Sequence, residues 1–254
     1  MTNDCRRAVI LAAGPGKRAK TITQQKPKCL MDLDGRPIVE WILTSLRLAG
    51  ITRVTVVTGF KGRLIERALG DGSCYGLKIS YVENTRWREP NGISLYRARE
   101  ALRGEPSFLT LMSDHILPPH AIERVRKSRS PRCILAIDTN LYNVYDLQDA
   151  TKVRLEKGRP AAIGKKLHTY NAVDCGLFRF DDRMFHALRH AFSAKMYSLT
   201  AGVKKLIKDD DLDVVPIGRN AFWVDIDTPR NYRYAERNMR RFLRALGGVR
   251  AGKR

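Results

Sequence analysis

An α/β fold, with a mixed but mostly parallel sheet flanked by helices and one inserted β-hairpin region, is predicted by three observations. Apolar or β-branched runs such as AVIL at 8–11 and VTVV at 54–57 are of strand length. Between them, Ile38, Trp41, Ile42, Ser45, Leu46 and Ala49 recur at helical spacing and Gly50 follows as a stop. Strand, loop, helix, strand is the grammar of a parallel sheet. The hairpin is read from Lys152–Glu156 and Pro160–Ile163, which flank a turn near Lys157 and Gly158.

In chain order, the first strand runs into Ala12, Ala13, Gly14 and Gly16 and then into Lys17, Arg18, Lys20, Lys26 and Lys28. Small residues let main-chain N–H groups approach a ligand, and the cations that follow neutralise an anion held there. Leu30–Leu33 reads as a short apolar segment, and DGRP at 34–37 as a turn with Pro37 set to start the helix. A second helix is expected over Leu64–Leu69, a glycine-rich loop over 70–76, a strand over Leu77–Val82 and a helix over Gly92–Leu102. SFLTLM at 107–112 is a buried strand that delivers Asp114 to its carboxyl end, the edge where open parallel sheets bind ligands. Strands are also expected over Arg132–Asp138, Val173–Phe180 and 213–217, with a helix through His186 and His190. After Thr228 and Pro229 a long Arg-rich helix runs to about Leu246, its apolar stripe formed by Tyr232, Ala235, Met239, Phe242 and Leu246.

The chain of 254 residues is long enough for a sizeable core, and its net charge of +21 favours anionic partners without choosing among nucleotides, phosphorylated metabolites, nucleic acid and anionic lipid. Five scattered cysteines lack CxxC spacing, which speaks against a zinc or dithiol site. The chain opens with no signal peptide and its apolar runs are only of strand length, so a cytoplasmic protein is expected, with its basic surface able to attract a membrane. There is no helix-turn-helix, RNP or zinc-finger pattern, and a specific nucleic-acid partner is not expected.

Neither a Walker A loop nor a full GxGxxG pattern is present, so the opening loop alone does not separate a plain turn from a nucleotide site. Asp225 and Asp227 in FWVDIDT alternate with apolar residues and are expected on one strand face, where two carboxylates need a cation or hydrogen bonds to offset their repulsion. Mg²⁺ suits them, being held by one or two carboxylates together with substrate phosphates. Lys152 and Lys165 lie on either side of the hairpin, and His115 adjoins Asp114. No serine or cysteine stands in a triad context, so the chemistry suggested is electrostatic rather than covalent.

LAAGPGKR at 11–18, PKCL at 27–30 and DGRPI at 34–38, followed by Asp114 and by Asp225 in a WxDxxT context, resemble the sugar-phosphate nucleotidyltransferases with a MobA-like, Rossmann-like fold. The ordered set spans nearly the whole chain. ENTRWREPNGISL, with Asn84, Asn91, Gly92, Ser94 and Leu95, is similar to the segment of cytidylyltransferases that act on phosphorylated alcohols. ATKVRLEKGRPAAIGKKL and VDCGLF resemble most closely the archaeal L-myo-inositol-1-phosphate cytidylyltransferases.

The resemblance implies that Leu11, Ala12, Ala13, Gly14, Gly16, Asn91, Gly92 and Ser94 bind the nucleotide, and that Gly16, Arg18 and Lys28 face the triphosphate. It implies Mg²⁺ on Asp114 and Asp225 with Asp227 in support, Lys165 on the acceptor phosphate, and Lys152 and Asp174 as further acceptor contacts. Arg18, Lys28 and Lys165 are then the catalytic cations. Residues 1–246 are expected to form the nucleotidyltransferase domain and 247–254 a basic flexible tail. The implied partners are CTP, a small phosphorylated acceptor and a separate membrane-bound synthase downstream. Pro15, Ala19 and Ser113 depart from the family pattern, which puts the loop's stiffness in question. Phosphocholine, glycerol phosphate or a hexose 1-phosphate as acceptor, UTP as donor, and a basic binding module stay open as alternatives. A choline acceptor wants an aromatic cage, for which Trp87, Tyr142, Tyr145 and Tyr170 are candidates.

Overall fold

The first strand, β1 (Arg7–Leu11), is apolar and buried from Ala8 to Leu11 because both of its faces are covered. Ala8 and Ile10 join one apolar cluster, and Val9 and Leu11 join another on the opposite side of the sheet. The computed structural model describes residues 5–16, 18, 26–219 and 221–247; Lys17, Ala19, Lys20 and the tail beyond Gly247 lie outside the described residues.

A small hairpin of β2 (Asp32–Leu33) and β3 (Arg36–Pro37) leads into α1 (Ile38–Leu48). The hairpin turns on Asp34 and Gly35 at φ 54° and 79°, and the Trp41 indole N–H donates to the Leu33 carbonyl at 2.8 Å. Next come β4 (Arg53–Thr58), α2 (Gly62–Leu69), β5 (Lys78–Glu83) and α3 (Asn91–Arg97). The α3 helix ends earlier than the spacing predicts, and a separate 3-10 turn covers Glu100–Leu102. β6 (Phe108–Met112) and β7 (His115–Ile116) flank Asp114. After them follow α4 (Pro119–Arg126), β8 (Cys133–Asp138), the hairpin β9 (Lys152–Glu156) and β10 (Arg159–Gly164), and β11 (Ala172–Phe180).

The chain closes with α5 (Asp182–Ser193), α6 (Leu199–Lys208), β12 (Leu212–Pro216), β13 (Val224–Asp225) and α7 (Pro229–Ala245). α4 and α6 are not among the expected elements, although each carries a local start signal. Pro119 opens α4, and the Ser198 hydroxyl caps α6 by accepting from the Ala201 N–H at 3.1 Å.

Half of the main sheet is parallel, in the order β6, β1, β4, β5. The other half is built around β11, which runs antiparallel to β6, β8 and β9. Helix α3 with α5 and α6 covers one face; α1 with α4 and α7 covers the other. One edge of β11 changes partner along its length: Ala172 and Val173 pair with β9, whereas Leu177–Phe180 pair with β6. The intervening residues bulge, with Gly176 at φ 71°, and the Asp174 carboxylate accepts the Gly176 N–H at 2.7 Å. The sheet therefore opens between β6 and β9, beside the carboxyl end of β6.

Candidate active site

Two cavities adjoin this opening. The first, about 250 Å³, is lined by Leu11, Ala12, Ala13, Gly14 and Gly16 after β1, by Lys28, by Trp87, Asn91 and Ser94, and by Asp114 and Asp227. The second, about 310 Å³, sits in the split of the sheet and includes Arg18, Asp114, His115, Asp149, Lys165, Asp174, Trp223, Asp225, Asp227 and Asn231. Asn91, Met112, Asp114 and Asp227 line both, so the cavities meet at these side chains.

The two glycines of the opening loop have different reasons to be there. At Gly16, with φ 61°, a Cβ would stand 2.8 Å from the Lys28 Cβ, so the fold itself demands glycine. At Gly14 a Cβ would meet nothing within 4 Å. The bare backbone at Gly14 answers no packing need of the chain and leaves room for a ligand. Across the cavity, the buried Asn84 amide donates to the Ser94 hydroxyl at 3.0 Å, and the Asn91 carbonyl oxygen accepts the Leu199 N–H at 3.0 Å. Gly92 does not line either cavity; it lets α3 approach the chain before α6, where a Cβ would come within 2.5 Å of the Tyr197 oxygen.

Where the cavities meet, charges alternate. The Lys28 ammonium is buried and pairs with both Asp114 and Asp227. Arg18 pairs with Asp227 and with Asp149, and Lys165 reaches Asp149 at 3.0 Å. The three cations implied by the resemblance thus lie in one chain of carboxylates, with Asp149, which no motif signals, linking two of them. Lys152 stands apart. Its ammonium donates to the Gln148 carbonyl and does not line either cavity.

Asp114, His115 and Asp225 offer ligand atoms within 4.8 Å of one another. The His115 Nδ1 is 2.7 Å from Asp114 Oδ1 and 3.8 Å from Asp225 Oδ1. Burial alone would lower the imidazole pKa, but the Asp225 and Asp114 carboxylates overcome it and push it up to about 9. Burial opposes the charge on Asp114 too, and Lys28 with His115 outweighs it, holding that carboxyl well below its usual range. Asp225 goes the other way: burial raises it, His115 only partly offsets this, and the Asp114 charge adds to the rise.

Asp225 Oδ1 is buried with no hydrogen-bond partner among the described residues. An orphaned carboxylate oxygen facing a second carboxylate fits a hard divalent cation such as Mg²⁺. Asp227 was expected beside Asp225 on one strand face. Only Val224 and Asp225 are strand, and Asp227 turns instead to Lys28 and Arg18.

His115 has a place made for it. Its ring stacks on Trp223 at 6.2 Å and 15°, and a Cβ at Gly176 would lie 2.5 Å from its Cδ2. The bulge in β11 therefore serves two ends: it makes room for the imidazole and turns Asp174 into the second cavity. Burial, with a smaller contribution from the Asp225 charge, pushes Asp174 up to about 6.

Because that value exceeds the ordinary one, the native state keeps a proton that the unfolded chain has already released between about pH 4 and 6, and stability falls as pH rises through that window. Asp174→Asn should match the wild type near pH 4 and exceed it by up to about 3 kcal/mol above pH 7 in metal-free urea melts. A difference that stays constant over this range would count against the burial of that charge.

A family model described as the MobA-like NTP transferase domain matches residues 8–167, from β1 to just beyond β10. The chain belongs to that family. The bifunctional IPC transferase and DIPP synthase of Aquifex aeolicus is 30% identical over 91% of this chain and 51% of its own length. The protein of the same description from Rubrobacter xylanophilus is 32% identical over 90% and 51%. The chain thus spans about half the length of these relatives. Among solved structures, the inositol-1-phosphate CTP transferase from T. maritima superposes with a TM-score of 0.84 at 25% identity, covering 99% of this chain and 100% of that one. Among the described residues no helix is long and apolar enough to cross a membrane.

Proposed function

We propose that the protein transfers the cytidylyl group of CTP to inositol 1-phosphate, giving CDP-inositol and pyrophosphate. The observation that carries this reading is the pair of cavities meeting at Asp114 and Asp227, with Arg18, Lys28 and Lys165 gathered around the junction. A two-substrate transfer between polyanions needs such a junction, because the reacting phosphates must come within about 3 to 3.5 Å despite their repulsion. Family and fold support nucleotidyltransferase activity. The similarity to proteins described as IPC transferases and as an inositol-1-phosphate CTP transferase supports the choice of substrates.

In this reading CTP occupies the first cavity. The loop around Ala12, Ala13 and Gly14 faces the nucleoside with Asn91 and Ser94, and Arg18 and Lys28 exchange their carboxylate partners for triphosphate oxygens. The acceptor enters the second cavity with its phosphate toward Lys165. A phosphate oxygen of the acceptor attacks the α-phosphorus in line, the bond to the β-phosphate oxygen breaks, and pyrophosphate leaves with that electron pair. Asp114 and Asp225 would hold Mg²⁺, which supplies positive charge at the phosphates being joined. No covalent enzyme intermediate is required; positioning and charge stabilisation carry the reaction. Residues 1–246 act as the catalytic domain with 247–254 as a basic tail.

The second cavity favours a polyhydroxylated acceptor. Asp146, Asp149, Asp174, Thr151, Thr200 and Asn231 line it, and carboxylates accept hydrogen bonds from ring hydroxyls. Of the candidates for a choline cage only Tyr145 lines the second cavity, and it is stacked on Tyr234 at 3.9 Å; Trp87 lines the other cavity, Tyr142 is fully exposed and Tyr170 lines neither.

A pyrophosphate-release assay of CTP and UTP against inositol 1-phosphate, phosphocholine, glycerol phosphate and a hexose 1-phosphate tests the proposal. The highest kcat/KM is expected for CTP with inositol 1-phosphate. Turnover of phosphocholine without turnover of the inositol phosphate would overturn it.

A further inference from the structure

α7 carries six exposed arginines, at positions 230, 233, 237, 240, 241 and 244. At about 100° per residue they fall within one arc of about 100°. Asn231, Ala235, Met239 and Phe242, the buried residues of the same helix, lie on the opposite side. The stripe is about 21 Å long at 1.5 Å per residue. Among the described residues none of the six is held in an ion pair, and Glu236 is the one acidic residue between the first and last of them. Only Arg241 has a noted ring contact, with its guanidinium 5.2 Å from the Phe222 ring. Keeping six like charges in register costs repulsion that a structural role does not require. An external anionic surface would remove that cost.

We propose that this arginine stripe docks the protein on an anionic lipid surface. Two features favour lipid headgroups over a polynucleotide. The aromatic residues of α7 are engaged within the protein, Tyr232 donating to the Asp32 carbonyl at 2.8 Å and Tyr234 stacked on Tyr145, so the stripe has no ring free to stack on bases. A straight row on a convex helix also offers no groove for a strand whose phosphates are fixed in spacing, whereas lipid headgroups move laterally and can gather beneath it. The contact is electrostatic and peripheral, because the apolar face of α7 is already spent on the core. Asn231 lines the second cavity from the buried side of the helix, so docking through the stripe leaves that cavity open.

Vesicle co-flotation tests this with the full chain. The wild type should float with phosphatidylglycerol-containing vesicles, stay behind with pure phosphatidylcholine, and be released as salt rises. R233Q/R237Q/R240Q/R244Q should bind more weakly by roughly fivefold per arginine, on the order of several-hundred-fold in all. Its nucleotidyl transfer in solution should be unchanged, and its thermal midpoint equal or higher because the repulsion along the stripe is relieved. R63Q/R67Q/R103Q/K208Q removes the same charge from exposed positions elsewhere and should retain most of the binding. Equal losses in the two variants would make net charge, not the stripe, responsible and overturn the proposal. Failure of the wild type to float would do the same, as would a polynucleotide that stays bound at salt concentrations releasing the vesicles.

Discussion

Asp225→Asn and Asp114→Asn are each expected to lower kcat on the order of 10³-fold or more, while changing stability in opposite directions. Each loses a charged oxygen where a divalent ion would be held. In the metal-free protein, however, the two carboxylates differ. Asp114 is charged because Lys28 and His115 hold it so, and its amide would leave both cations short of a partner, costing about 3 kcal/mol. Asp225 is half-buried beside another carboxylate, with its Oδ1 shut off from solvent and, among the described residues, without a hydrogen-bond partner, so its amide should be neutral or stabilising by about 1 kcal/mol. Urea unfolding in chelator reads the stabilities, and titration of Mg²⁺ against a calorimetric signal reads the site independently of turnover. Near wild-type kcat in either variant removes that residue from the metal site, and equal stability changes in both would refute the electrostatic ordering.

Lys28→Met should destabilise the metal-free protein by about 3 to 5 kcal/mol, since Asp114 and Asp227 would face one another without their shared cation. The loss should shrink with Mg²⁺ present, because a divalent ion supplies the charge that the ammonium gave. Turnover should fall about 10²- to 10³-fold even at saturating metal, as the triphosphate loses its buried donor. Melts with and without Mg²⁺ decide this. A destabilisation that metal leaves untouched would mark Lys28 as a structural cation and separate it from the chemistry.

The legibility of this chain differs between its halves for a physical reason. Up to Asp114 the main sheet is parallel, and its inner strands β1, β4 and β6 are covered on both faces, so they are near-continuous buried runs and ligand-facing residues follow β1 and β6 directly in sequence. The end of β1 at the Ala12–Gly16 loop, the delivery of Asp114 by β6 and the α1 periodicity could be read there from local pattern alone. The end of α3 was harder, since α3 stops at Arg97 and a 3-10 turn takes over within the same apolar pattern. Gly92 answers the approach of the Tyr197 oxygen, a contact more than a hundred residues away that no local pattern announces.

The second cavity is assembled from β11, the loop before β9, α6 and the start of α7, so its residues share no local pattern. Asp149 and Asn231 read as ordinary loop and helix residues until the fold sets them beside Lys165 and Arg18. His115 had one signal, its adjacency to Asp114, which did not reveal that Gly176 and Trp223 make a slot for its ring. Lys152 and Lys165 both flank the hairpin, and the fold turns Lys165 into the second cavity and the Lys152 ammonium toward the Gln148 carbonyl.

By itself the sequence determined the α/β class, the strand-to-loop delivery of small residues and cations, and the place of Asp114 at a strand's carboxyl end, because those depend on periodicity and on residues close together in the chain. The tertiary structure decided where β11 changes partner, and with it the second cavity, the company Asp225 keeps, and which lysine faces the junction. Long-range strand pairing sets these, and no local pattern encodes it.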